Sequence, residues 1–293
     1  MMLSRQRQLL VASAPIIFVL LWSTGYLSSR IIRPYVEPLS FSALRFAAAS
    51  VIFIALVFAR GGKWPTERSD WWHLIVCGVL IQGLFITGMM VAVTGGLDMG
   101  IAALVGGMQP VLTAFIAMIW LRERLNKRQL YGFVFGFIGL AMVIFQSINL
   151  GRVPVGALLM SLVAVLGITL GTIYQKKYVV SVDLLSGTAI QFLAACIPVS
   201  LLAVIFESGR ITWNFPVVAT AIWLIVAQSV GAVLILYAMI RAGAVSKVSS
   251  LFYLIPPICA LEGFLLFGET LTTLQMLGVL VVTFSVLAIV RQD

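Results

Sequence analysis

Few side chains in this sequence are equipped to make or break bonds. One histidine, three scattered cysteines and ten acidic residues in 293 positions give no nucleophile-base-acid set and no paired carboxylates facing a polar cluster, and His73 stands at the edge of an apolar run. Cys77, Cys196 and Cys259 lie far apart inside apolar runs, so they read as small core residues, with no disulfide, metal site or cofactor expected. No GxxxxGK[ST] phosphate loop occurs, which excludes ATP-driven pumping by this chain. An enzyme acting inside the membrane would need a convergent catalytic set, and none is written here.

What remains is chemistry of recognition. Arg45 and Glu262 are strongly ionisable residues well inside apolar runs, and an intramembrane charge marks a functional position by default. Arg45 reads as snorkelling toward the nearby outer surface, and Glu262 as a proton-coupling group. Gln82 and Gln228 each put an amide in a span, where an unpaired amide costs about 1 to 3 kcal/mol, against helix-to-helix glue as the plainer role. At helical spacing Gln82, Phe85, Ile86 and Met89 share one face, mixing a polar handle with deformable apolar surface. Trp22, Tyr26 and Ser29, then Gln109 and Thr113, Tyr174 and Gln175, and Ser249, Ser250 and Tyr253 extend the candidate substrate-binding set. Pro110 and Pro256 fall in mid-span, where proline removes a backbone hydrogen bond, and are candidate hinges; Glu123 and Glu269, at span ends, are candidate gates.

The elements that must hold these residues follow from composition. Hydrophobic residues make up 61% of the chain and charged ones 10%, with a mean hydropathy of +1.11, an alphabet from which no water-facing surface is built. A span needs about 20 apolar residues, so the chain has room for ten crossings and no soluble domain. The expected spans are Ala12–Ile32, Leu39–Ala59, Trp71–Val93, Gly100–Leu121, Leu130–Ser147, Val155–Tyr178, Leu184–Phe206, Val217–Ile240, Val245–Phe267 and Leu274–Val290. The first runs on into Arg30 and Arg33 without a cleavage pattern and reads as a retained span. The net charge of +9 does not point to nucleic acid, because the basic residues are dispersed between apolar runs rather than gathered on one face. Counted on alternating sides, 14 Lys and Arg fall on one side and 4 on the other, which puts both termini in the cytoplasm of a bacterial inner (plasma) membrane protein.

Shifted by 146 residues, the chain matches itself. Gly25 meets Gly171, Leu39 and Ser40 meet Leu185 and Ser186, Phe46 meets Phe192, Gln82 meets Gln228, Pro110 meets Pro256, and Glu123 meets Glu269. The halves, 1–147 and 148–293, thus each hold five spans, and an odd number makes them enter the membrane from opposite sides. The loop charges agree: RERLNKR (Arg122–Arg128) in one copy becomes GETLTTL (Gly268–Leu274) in the other, with every cation gone. The expected fold is all-α, ten transmembrane helices in two inverted five-helix repeats. Its cavity is expected between spans one, three, four, six, eight and nine. Gly132, Gly136 and Gly139 have GxxxG spacing, read as packing within a monomer, with a weak homodimer as the alternative.

Trp22 and Gly25, the stretch Leu39, Ser40, Arg45, Phe46, and a twice-occurring Pro, Leu-x-Glu, Gly pattern make the whole chain resemble the drug/metabolite transporter superfamily and its ten-helix EamA-type exporters. The pattern is Pro110, Leu121, Glu123, Gly132 in one half and Pro256, Phe267, Glu269, Gly278 in the other, departing at Phe267. The resemblance implies export more firmly than it implies a cargo. A neutral, mostly apolar lining suits small neutral or zwitterionic solutes, of which amino acids (aromatic ones included) and related metabolites fit best. Drugs and other toxic compounds are the alternative cargo, and a solute channel the alternative from another class. Partners are the solute and membrane lipid, with no nucleic acid. The charge asymmetry predicts that a reporter fused at Asp293 is active in the cytoplasm; activity confined to the far side of the membrane would contradict it.

Overall fold

The computed structural model describes residues 2–122, 124–148, 154–243, 245–268 and 272–290. All regular elements among them are helical, since inside lipid only intrasegment hydrogen bonds satisfy the backbone of such apolar runs; an isolated bridge joins Val36 and Ile211. The helical rods are α1 (Met2–Ile32), α2 (Pro38–Arg60), α3 (Arg68–Thr94), α4 (Met99–Trp120), α5 (Lys127–Ile148), α6 (Val155–Tyr178), α7 (Leu184–Phe206), α8 (Phe215–Ala242), α9 (Val245–Ser250, continuing through Leu251–Leu254 to Ile255–Phe267) and α10 (Thr273–Val290). Eight of these, all but α5 and α10, contain a segment long and apolar enough to cross a membrane among the described residues. Exposed Val51, Phe58, Phe115, Ile119, Leu201 and Val204 face outward from them, as a lipid-bathed surface requires.

The repeat is visible in how α2 and α7 lie together. The carboxylate of Glu207, just past the end of α7, accepts from the Leu39 and Ser40 amides at 2.8 and 2.7 Å and so caps the start of α2. At the other end, Ser186 in the first turn of α7 donates to the carbonyl of Lys63, just past α2, at 2.8 Å. The two helices are therefore antiparallel, although they are equivalent in the 146-residue repeat. Between them Phe46 and Phe192, also equivalent, touch with ring centroids 5.7 Å apart and no exposed surface. The packing elsewhere is reciprocal: α1 lies on α8 and α9, while α6 lies on α3 and α4, and α5 pairs with α10.

Both halves also depart from regular α-helix at matched places. α3 is π-helical over Val79–Thr87 and α8 over Leu224–Ala232. α4 breaks between Gly106 and Gln109, and α9 tightens into a 3-10 turn over Leu251–Leu254. Pro110 and Pro256 stand in mid-span of the rods Met99–Trp120 and Val248–Leu266, each just after the irregular turn, where the missing proline N–H leaves the preceding helix without its regular bond. Close approach of α3 to α7 depends on Gly78, where a β-carbon would come within 2.3 Å of the Gln191 carbonyl oxygen. Gly136, in the GxxxG run, is filled by the Tyr253 ring of the same chain, 2.7 Å from where its β-carbon would be.

At the α1–α2 turn, Glu37 accepts from the Arg210 amide at 2.8 Å and the Ser208 hydroxyl at 3.0 Å, tying the two halves together outside the bundle. The Arg210 amide, with Ser208, holds the Glu37 carboxyl below its ordinary value. A depressed folded-state pKa gives stability that is present above the unfolded value and lost as pH falls through the folded one. Glu37→Gln should thus unfold at lower temperature than wild type at pH 7, with the gap closing as pH drops below about 4. A gap that does not change with pH would contradict it.

Candidate functional site

A small cleft lies between α1, α2, α3 and α8. Helix α1 supplies Trp22, Gly25, Tyr26 and Ser29, α3 supplies Phe85, Ile86, Met89 and Met90, α2 contributes Arg45 and α8 contributes Gln228. Trp22 is 3% exposed, wedged by Phe18 and by an edge-on Phe252 at 5.4 Å, and its face lies parallel to Phe85 at 6.1 Å and 15°. One wall is thus a rigid aromatic pair with two methionines beside it, able to take apolar groups of varied shape.

The polar wall centres on Arg45. Its Nε donates to Ser229 Oγ at 2.8 Å and its Nη2 to Gln228 Oε1 at 2.7 Å, while Gln228 Nε2 reaches the Trp22 carbonyl at 3.3 Å. Gly25 is what admits Gln228, since a β-carbon there would fall 1.9 Å from Gln228 Nε2. Arg45 is 4% exposed and does not snorkel to a surface. The acceptors that hold it come from α8, which the sequence of α2 alone does not display. Tyr26, 6% exposed, turns its hydroxyl toward Gly106, and that oxygen has no hydrogen-bond partner among the described residues.

The positions equivalent to these under the repeat are joined to one another by hydrogen bonds. Gln82 Nε2 donates to the Tyr237 hydroxyl at 2.9 Å, that hydroxyl donates to Gln191 Oε1 at 2.5 Å, and Gln191 Nε2 donates to Gln175 Oε1 at 2.8 Å. Under the repeat, Gln82 stands where Gln228 does, Gln191 where Arg45 does, and Gln175 where Ser29 does. All of this second knot is buried.

Of the sequence candidates, Trp22, Tyr26, Phe85, Met89 and Gln228 come together on the cleft. Gln82 does not, because the wider π turn of Val79–Thr87 rotates it away from Phe85 and Met89 and onto Tyr237. Gln109 and Thr113 are wholly buried on α4, their side chains without partners among the described residues, and do not line the cleft. Tyr174 sits at the far end of α6, its hydroxyl 2.7 Å from His73 Nδ1. Tyr253 faces α5, donating to the Phe133 carbonyl at 3.1 Å. Glu262 accepts from Ser23 Oγ at 2.7 Å on one carboxylate oxygen and has no partner among the described residues on the other. Glu123 and Glu269 lie outside the described residues. The cavity walls expected from spans four, six and nine are absent from this cleft, and α2 is added. Arg45 as a wall residue and Tyr237 as a closing residue were missed; the shift that aligns Arg45 with Gln191 was the available signal.

A single family model matches the chain twice, over residues 9–145 and 155–291, the two matches separated by the same shift that pairs the Gly, Gln and Pro residues. The chain belongs to the EamA-like transporter family. It is similar to the inner membrane transporter YedA of Escherichia coli strain K12, 27% identical over 97% of this chain and 92% of that one. It is also similar to a probable amino-acid metabolite efflux pump of Salmonella typhimurium, 23% identical over 91% and 90% of the two chains. A solved crystal structure shares the fold, with a TM-score of 0.74 and 22% identity over 94% of this chain and 97% of that one. The cleft is therefore a cleft in a multi-pass membrane transporter.

Because the clash in Gly25→Ala is with the tip of a flexible side chain, the fold should survive while Gln228 is displaced from Arg45. The expected result is a thermal midpoint within a few degrees of wild type and initial transport reduced several-fold. Unchanged transport would show that the Arg45–Gln228 contact does not matter to the cleft.

Proposed function

We propose that this EamA-family transporter exports small neutral or zwitterionic solutes, most of all amino acids, aromatic ones included, or related metabolites, across the bacterial inner membrane by alternating access. The observation that carries this reading is the pair of matched places, one an open cleft walled by Trp22, Phe85, Met89 and Gln228, the other closed by the Gln82–Tyr237–Gln191–Gln175 chain of hydrogen bonds. Two like halves in opposite orientation can exchange these conformations, opening one end as the other shuts. In this reading α5 and α10 complete ten crossings and both termini are cytoplasmic, so the open cleft, on the second half of α1, faces outward. The similar efflux pump of Salmonella typhimurium supports the choice of cargo.

The irregular turns of α4 and α9 serve as hinges, with Pro110 and Pro256 just after them withholding a backbone donor that would stiffen the rod. Glu262, with one oxygen on Ser23 and one unpartnered, is the group through which a proton gradient couples. The test is uptake by inverted vesicles against an amino-acid panel, with and without a proton gradient. Saturation and counterflow are expected, with the gradient response lost in Glu262→Gln. Pro110→Ala and Pro256→Ala should hold or raise their thermal midpoints, since alanine supplies the backbone donor that proline lacks, yet turn over several-fold more slowly. Flux without saturation or counterflow would make the protein a channel, and normal rates with lowered midpoints in both proline variants would end the hinge.

A further inference from the structure

Among the described residues no carboxylate pairs with Arg45. It is 4% exposed in α2, and the two acceptors that fix its guanidinium, Gln228 Oε1 and Ser229 Oγ, are neutral. None of the residues lining the cleft is acidic. The carboxylates of Glu37 and Glu207 are taken up by the Arg210, Leu39 and Ser40 amides, and Glu262 spends one oxygen on Ser23. A guanidinium offers five N–H donors in one plane, and the bonds to Gln228 and Ser229 hold that plane still while leaving donors over. A second polar group belongs to the lining of the same cleft. Tyr26 on α1 has a buried hydroxyl with no partner among the described residues.

We propose that Arg45 binds the carboxylate of the transported solute, with the Tyr26 hydroxyl at the same polar end and the Trp22–Phe85 pair and Met89 receiving an apolar side chain. This rests on the export function above and narrows its cargo to carboxylic acids with an apolar body. A fixed guanidinium meets a carboxylate through two parallel charge-assisted hydrogen bonds, which a carboxamide cannot reproduce. With no acidic group on the wall, an α-ammonium group gains no counterion, so the des-amino acid should bind at least as well as the amino acid. Gln191, in the equivalent place of the other half, is neutral, so the carboxylate has one charged anchor rather than two.

The experiment is binding to the full chain purified in detergent, read as ligand-dependent thermal stabilisation. The probes are L-phenylalanine and 3-phenylpropanoate with their amides, L-phenylalaninamide and 3-phenylpropanamide. Wild type should bind each acid roughly tenfold or more tightly than its amide. Arg45→Gln should bring that ratio close to one, and Arg45→Lys should retain part of it. A role confined to holding Gln228 and Ser229 would weaken acid and amide alike and leave their ratio unchanged. Equal affinities for acid and amide in wild type, a preference that persists in Arg45→Gln, or binding of neither member of either pair would overturn the proposal. If Arg45→Gln does not fold, the wild-type ratio and its partial retention in Arg45→Lys decide. Vesicles that export amino acids without favouring acid over amide would leave the export function standing and remove Arg45 from it.

Discussion

Phe46 and Phe192 meet ring to ring between two antiparallel helices, and the rest of the bundle is arranged in pairs about that contact. Because the two residues are the same position of a repeated unit, an operation exchanging the halves must pass between them and lie across the helix axes. α2 and α7 cannot run parallel under it. The ends confirm this in hydrogen bonds, with Glu207 capping α2 and the Ser186 hydroxyl on the carbonyl past its end. An N-terminal cap is worth about 1 kcal/mol in water. Supplied across the repeat, it ties the ends of α2 and α7 to each other.

The pairing makes the differences between the halves informative. Where Arg45, Gln228 and Ser29 border a cleft, their repeat equivalents Gln191, Gln82 and Gln175 are linked through Tyr237. Neutral amides can bond one another and close, since each brings both a donor and an acceptor. A guanidinium brings donors alone. It is held by Gln228 and Ser229 but not consumed by them, which keeps that place polar and open. A change of one residue type at equivalent positions thus accompanies a cleft at one place and a closed chain of hydrogen bonds at the other.

The helices depart from regular α geometry at matched places in the two halves. The π segments of α3 and α8 carry the two matched glutamines, and the breaks of α4 and α9 precede the two matched prolines. Unpaired backbone groups are costly in a lipid setting, so such departures survive where they border a polar cluster or a cavity. Buried Gln109 and Thr113, beside the irregular turn of α4, have unpartnered side-chain atoms among the described residues.

Much of this was legible in the sequence. Composition required a membrane bundle, since 10% charged residues cannot cover a surface in water, and the 146-residue shift exposed the repeat because Gln, Pro and Glu are too rare in such a chain to coincide by accident. Trp22, Tyr26, Phe85, Met89 and Gln228 were candidates on residue type alone and share the cleft. Tertiary structure decided the rest. Gln82 left the face of Phe85 because a π turn changes the angular step between residues, which a pattern counted at 3.6 residues per turn does not contain. Tyr174 and Tyr253 went to His73 and to α5, because helix rotation is set by packing rather than by polarity. Arg45 looked like a charge seeking the surface, since its acceptors lie 183 and 184 residues away on α8. Sequence periodicity specifies which residues share a helix face; which faces meet is fixed only when the helices pack.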